Sequence, residues 1–177
     1  MTTPPPGWYP GPTGVPQWWD GRGWGPTAPP PPDNSNTMAL FAHLGTFLAG
    51  FLVPLIIRQT EGTKNRFVKH HATEALNWSI TTAIASLVLF AVYLIGILVT
   101  VAGTATTRNA AGVGAFVAVI VIVVAIACAL SIASVVFVII GAVKASQRKY
   151  WRYPVAIRWV PGAASKEQVE ALNRGVV

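Results

Sequence analysis

Three long uncharged stretches dominate the pattern of hydrophobic and polar positions along this 177-residue chain. No Asp, Glu, Lys or Arg occurs in residues 34–57, 75–107 or 109–143. Each stretch exceeds the roughly 18 apolar residues that mark a membrane-spanning helix. The pattern therefore predicts an all-α membrane protein with three transmembrane helices. These helices are expected at about residues 38–57, 67–101 and 113–143.

The first of these segments leaves two paths open. Its 20 residues just cover a hydrocarbon core of about 30 Å, and a full crossing is the preferred path. Gly45, Gly50 and Pro54 make a bent or re-entrant segment the alternative. A contact between His43 and Glu74 would favour the re-entrant path, because a full crossing would separate them.

The apolar segments divide the chain into four parts. A Trp/Gly/Pro-rich module is expected at residues 1–26, and a Pro-rich linker at 27–37. The membrane domain covers residues 38–160, ending in an interfacial segment at 150–160, and a cytoplasmic tail covers 161–177. We expect the N-terminal tail to be disordered or minimally folded, because so few residues bury little surface.

Aromatic residues make the N-terminal tail a candidate partner-binding module. They could form a groove for a proline-rich ligand, and Pro29–Pro32 of the same chain could occupy it. A small strand hairpin without a ligand is the simpler reading. The candidate partner-binding residues are Trp8, Tyr9, Trp18, Trp19 and Trp24.

The placement of charge argues for a membrane and against nucleic acid. The formal net charge is +7, but eleven of the thirteen basic residues lie in residues 58–69 or after residue 143, beside the apolar segments. This predicts contact with anionic lipid headgroups rather than nucleic acid. The bias toward cytoplasmic Lys and Arg predicts a multi-pass cell-membrane protein with a cytoplasmic first loop and C-terminus. Three crossings would place the N-terminus outside.

The stretch FVKHHATEALNW, at residues 67–78, holds most of a candidate polar cluster. On a helix, His70, Glu74 and Asn77 share one face, because they stand at i, i+4 and i+7. Lys69, a histidine of this stretch, or His43 could pair with Glu74. A proton or metal site is one reading, and a structural interface is the favoured one. The candidate cluster comprises His43, His70, His71, Glu74 and Asn77.

The sequence offers little for catalysis. It has no phosphate-binding loop, no paired acid and base, and no HExxH-like pattern. Its one cysteine, Cys128, lies in the third apolar segment. We therefore expect no enzymatic activity, no cofactor and no metal.

Three stretches of the chain resemble a known family. FAHLGTFLAGFLVPLII, FVKHHATEALNW and YWRYPVAIRWV, in this order, resemble the DUF4870 family of small bacterial membrane proteins, related to the Tic20-like superfamily. GWYPGPTGVPQWWDGRGW, at residues 7–24, resembles the DUF2510 module, although Gly11 replaces the acidic residue of its WYPDP motif and Gly25 its Thr. Together these resemblances imply an actinobacterial source.

Two functions follow as hypotheses. The first is a membrane scaffold or accessory protein that binds membrane or envelope proteins, or forms homo-oligomers through small residues on its helices. The second, implied by the Tic20 resemblance alone, is a component of protein translocation or transport. A weaker third is a pH or metal sensor using His70, His71 and Glu74.

Overall fold

The computed structural model describes residues 4–11, 15–27, 33–107 and 110–175, without the side chains of 104–107 and 110–112. Pro29–Pro32 and Arg108 therefore lie outside the described residues. The chain forms two units, residues 1–33 and 34–177. The first is a small sheet and the second is helical, so the general prediction of a helical chain with a minimal N-terminal fold is confirmed.

The N-terminal unit is a three-stranded antiparallel sheet. Its strands are β1 (Gly7–Pro10), β2 (Pro16–Trp19) and β3 (Trp24–Thr27), in that order. Trp8 lies opposite Trp18, and Trp19 opposite Trp24. Their ring centroids are 5.6 and 5.1 Å apart. Such cross-strand aromatic pairs supply most of what so small a sheet can bury.

The described residues of the helical unit form six helices. Two of them are long enough and apolar enough to cross a membrane, at residues 66–103 and 113–146. The six are α1 (Ser35–Ala49), α2 (Leu52–Gln59), α3 (Glu61–Lys64), α4 (Arg66–Thr107), α5 (Ala110–Ser146) and α6 (Lys166–Arg174).

The first apolar segment is a helical hairpin, so the preferred full crossing by residues 38–57 is not confirmed. The chain turns at Gly50, whose φ of 55° is in the left-handed region that glycine tolerates best. α1 and α2 then pack so closely that a Cβ on Gly45 would collide with Val53. The hairpin agrees with the bent or re-entrant alternative, whose path through the membrane stays a prediction.

Both ends of the hairpin lie at the same end of the long helices. The Asn36 side chain donates to the carbonyl of Ser146, the last residue of α5, at 3.4 Å. Arg58, near the end of α2, donates to Thr73 on α4 at 3.1 Å. α1 and α2 therefore enter and leave on one side, where α4 begins and α5 ends.

The long helices also extend further than the sequence suggested. A loop was expected at residues 102–112, but α4 continues to Thr107 and α5 starts at Ala110. No proline interrupts this segment, so nothing removes a helical hydrogen bond. At about 1.5 Å per residue, the 42 residues of α4 measure roughly 63 Å, twice a hydrocarbon core.

The buried core sits at the end where the hairpin packs. Trp78 on α4, Val138 on α5 and Tyr153 after α5 form its centre. The Trp78 and Tyr153 rings stack with centroids 5.2 Å apart and an interplanar angle of 7°. This core fixes the segment after α5 against α4, where the polar cluster lies.

Candidate functional site

The first turns of α4 carry a buried polar face that the rest of the chain encloses. α1 and α2 cover one side of it, and the extended segment of residues 150–164 covers the other. We call this region the polar cap. Its long side chains are fully buried although His, Glu and Asn are seldom found so. The sequence-predicted cluster therefore comes together here: His43, His70, His71, Glu74 and Asn77.

His43 reaches the cap from α1 and joins a chain of three side chains. Its Nδ1 lies 2.9 Å from the Tyr153 hydroxyl, and its Nε2 lies 2.8 Å from His71 Nδ1. Burial, and then the charge of Glu74, raise the pKa of Tyr153, so its hydroxyl keeps its proton. That hydroxyl has no other partner in the described chain, so we assign it as the donor to His43.

This assignment fixes the remaining protons in the chain. If Tyr153 donates to His43 Nδ1, then His43 Nε2 carries a proton and donates to His71 Nδ1. His71 Nε2 then carries a proton as well, and it is buried without a hydrogen-bond partner in the described structure. The arrangement holds three neutral groups in one order, and His71 also interacts with the backbone of Lys149.

Glu74 is held by groups that the sequence reading did not name. Its Oε2 accepts from the Tyr153 backbone N–H at 3.0 Å and from Arg158 Nη1 at 2.8 Å. Arg152 Nε lies 3.7 Å from Oε1. Neither Lys69 nor His43 bonds the carboxylate within the described structure, so those expected pairings are wrong.

The two arginines could have been found from charge balance. Glu74 is fully buried, and a buried carboxylate needs a cation or several donors. Arg152 and Arg158 stand six residues apart in the YWRYPVAIRWV stretch, which lies close to the apolar segments but carries no acidic residue of its own. That pattern is the signal that could have identified them.

His70 and Asn77 bind the backbone of the covering segment. His70 Nδ1 accepts from the Ala164 N–H at 2.9 Å, so its Nε2 carries the proton and donates to the Trp151 carbonyl at 2.8 Å. Asn77 donates to the Val160 carbonyl at 3.1 Å and accepts from its N–H at 2.7 Å. Both side chains therefore bind the covering segment to α4, each through one donor and one acceptor.

Chemically, the cap provides ion pairing and hydrogen bonding more readily than ligation. Among the described residues no three His, Cys, Asp or Glu side chains are grouped so that they could hold a metal ion. The partner-binding candidates of the tail lie in the separate N-terminal sheet, where Trp8 and Trp24 stay about half exposed. Their role as a binding surface stays a prediction.

The comparison with protein families settles the relationship of the helical unit. Residues 34–160 match the magnetosome magnetite crystal formation protein family, MamF/MmsF. The chain belongs to this family. The match begins where the helical unit begins and ends just before α6. No curated protein and no solved structure matches the chain significantly.

Family membership corrects the resemblances drawn from the sequence. The assignment to DUF4870 and Tic20-like proteins was wrong. The translocation function rested on that assignment alone and is therefore not supported. The DUF2510 assignment is likewise unsupported, because the family match leaves out residues 7–24. Membership of a magnetosome membrane protein family supports the membrane association predicted from the sequence.

Proposed function

We propose that this chain is a non-catalytic membrane accessory protein that holds a partner membrane protein through its spanning helices. One observation carries the proposal. The ionisable and amide side chains of the polar cap are bonded within the chain, whereas a largely apolar groove with several hydroxyls, between the spanning helices, faces outward.

The groove lies along α4 and α5 beside the tip of α1, and has a volume of about 640 Å³. Ser86, Ser131 and Ser134 line it, and their hydroxyls make no hydrogen bond within the described part of the chain. In hydrocarbon such hydroxyls can be stabilised by hydrogen bonds to polar groups on another helix. A spanning helix of a partner protein is therefore the occupant we propose.

The orientation follows from the basic residues and the hairpin together. Lys and Arg at the start of α4 and after α5 favour a cytoplasmic polar cap. Since the hairpin returns to the side it entered, the beginning of α1 would lie on that side. This replaces the external N-terminus that three crossings implied.

The role of the family suggests the process that this partnership serves. In a cell that makes magnetosomes, the accessory role would be in magnetite crystal formation. The chain has thirteen Lys and Arg but only six Asp and Glu. Iron ions prefer ligands such as carboxylate and imidazole, and the three histidines are in the helical unit, all buried. We therefore propose action through partner proteins rather than direct capture of iron.

Site-specific photocrosslinking in the source membrane tests the proposal. A photoreactive residue at Ser131, in the groove, should give one discrete adduct with a membrane protein. The matched control is Val121, which is 61% exposed on the same helix and does not line the groove. Similar diffuse labelling at both positions would overturn the proposal, and an adduct of twice the chain's mass would replace the partner by a second copy.

A further inference from the structure

A second cavity, at the beginning of α4, has a different character from the groove. It has a volume of about 200 Å³, enough for several water molecules. The first turn of α4 forms one wall and the chain around α6 forms the other. Its lining includes Arg66, Lys69, Tyr150, Gly162 and Gln168.

The charge of this cavity is positive and unbalanced. Arg66 and Lys69 have no ion-pair or hydrogen-bond partner among the described residues. The nearby Lys64, in contrast, is paired with Glu61 at 2.8 Å. Glu74 is paired with Arg158, and the charged Glu167 and Glu170 of α6 do not line the cavity. An anion in the cavity would meet two unpaired cations.

The cavity is also held in shape before any ligand arrives. Tyr150 exchanges two hydrogen bonds of 2.9 Å with the Asn173 side chain, which ties α6 to the wall. A Cβ on Gly162 would lie 3.3 Å from Lys69 Cε and 3.8 Å from Arg58 Nη2. The backbone therefore approaches the cationic side chains closely, and little ordering would be needed on binding.

The position of the cavity indicates the source of the anion. Lys69 precedes Ala75, where the uncharged stretch of α4 starts, by six residues or about 9 Å of helix. Arg66 precedes Ala75 by nine residues, or about 13 Å. The headgroup layer covers about the first 5–8 Å outside the hydrocarbon core. Both cations therefore stand just beyond this layer, from where their long side chains can reach lipid phosphates.

We propose that this cavity binds the phosphate of an anionic phospholipid headgroup, with Arg66 and Lys69 as its cationic ligands. A planar guanidinium suits two phosphate oxygens, and an ammonium supplies a third contact. The site does not depend on the proposed partner of the spanning helices, and either proposal can fail without the other.

The test uses the full chain in nanodiscs of phosphatidylglycerol and phosphatidylcholine, with bound lipid counted by native mass spectrometry. Arg66→Gln with Lys69→Gln should lower retained phosphatidylglycerol at least about fivefold, since two charge-assisted contacts are lost. The control, Lys64→Gln with Arg174→Gln, removes the same charge from side chains that do not line the cavity. It should retain lipid like the unmodified chain.

Three outcomes would overturn the proposal. Equal loss in both double variants would mean diffuse attraction to a charged surface, and no loss in either would mean no site. Retention of inorganic phosphate in detergent, without retained phosphatidylglycerol, would assign the cavity to free phosphate instead of lipid. The side chains of Arg66 and Lys69 are exposed and make no hydrogen bond or ion pair within the described structure. Circular dichroism should therefore show both double variants folded alike.

Discussion

The two ends of the long helices are built on different physics. In the polar cap, α4 is buried from His70 to Ser79 and its side chains make directed bonds to three other segments. In what we call the outer arms, residues 83–103 of α4 and 113–130 of α5, no side chain is fully buried. Shape in the arms depends on backbone bonding and lipid, whereas in the cap it depends on particular side chains. Substitutions should therefore be costly in the cap and tolerated in the arms.

The strongest test of this difference is the buried carboxylate. Glu74→Gln should lower the free energy of unfolding by about 2–3 kcal/mol, because it removes the charge from the buried carboxylate that bonds Arg158 and the Tyr153 backbone. Thermal unfolding in detergent, followed by tryptophan fluorescence, measures the loss.

Glu61→Gln is the matched control, since Glu61 makes an exposed ion pair with Lys64. Exposed pairs contribute little, so its midpoint should stay within a degree or two of the unmodified chain, about 0–1 kcal/mol. Equal losses for the two variants would show that Glu74 is not central to the stability of the polar cap.

A smaller loss is expected from crowding His43. Gly141→Ala would put a methyl group 2.8 Å from His43 Nδ1, and the ring cannot turn away because both nitrogens are bonded. We expect destabilisation of about 1–3 kcal/mol from overpacking, measured by the same unfolding assay.

Gly114→Ala, on the same helix but in the outer arm, has no heavy atom within 4 Å of its new Cβ. It should be neutral, or more stable by up to about 1 kcal/mol through higher helix propensity. Destabilisation by Gly114→Ala comparable to that of Gly141→Ala would show that the arms are as tightly specified as the cap.

Removing the Tyr153 hydroxyl from the hydrogen-bonded series of Tyr153, His43 and His71 should lower stability by a smaller amount. Tyr153→Phe keeps the stacked ring against Trp78 but leaves His43 Nδ1 without its donor. The expected loss is about 1–2 kcal/mol. Tyr93→Phe is the control, because Tyr93 lies in the outer arm at 36% exposure and should unfold like the unmodified chain. An unchanged midpoint for Tyr153→Phe would mean that the chain of bonds adds nothing to stability.

The same contrast explains what the sequence could predict. Helical spacing alone placed His70, Glu74 and Asn77 on one face, because the 3.6-residue period is local. Which segment covers that face is decided by closing a chain of about 80 residues, and local pattern carries no information on this. Tyr153 and the two arginines were therefore missed as partners, although their stretch was predicted to be interfacial.

The hairpin was foreseeable only as an alternative for a related reason. Gly45, Gly50 and Pro54 marked where the first segment could turn, and the structure uses all three positions in or beside the hairpin. Apolar composition could not distinguish a full crossing from a buried hairpin, since both need an uncharged chain. The deciding contacts join His43 to His71 and Tyr153, which are 28 and 110 residues away.

The smallest expected effects come from trimming a single valine. Val138 is 1% exposed at the core, whereas Val121 is 61% exposed in the outer arm of the same helix. Val138→Ala should lower stability by about 1 kcal/mol, because its packing contacts in the core have no replacement. Val121→Ala should change it little, since lipid tails solvate an alanine nearly as well as a valine and no protein cavity forms. Comparing the two unfolding midpoints in one lipid or detergent measures the difference, and a larger loss for Val121→Ala would indicate that protein, rather than lipid, covers the outer arm.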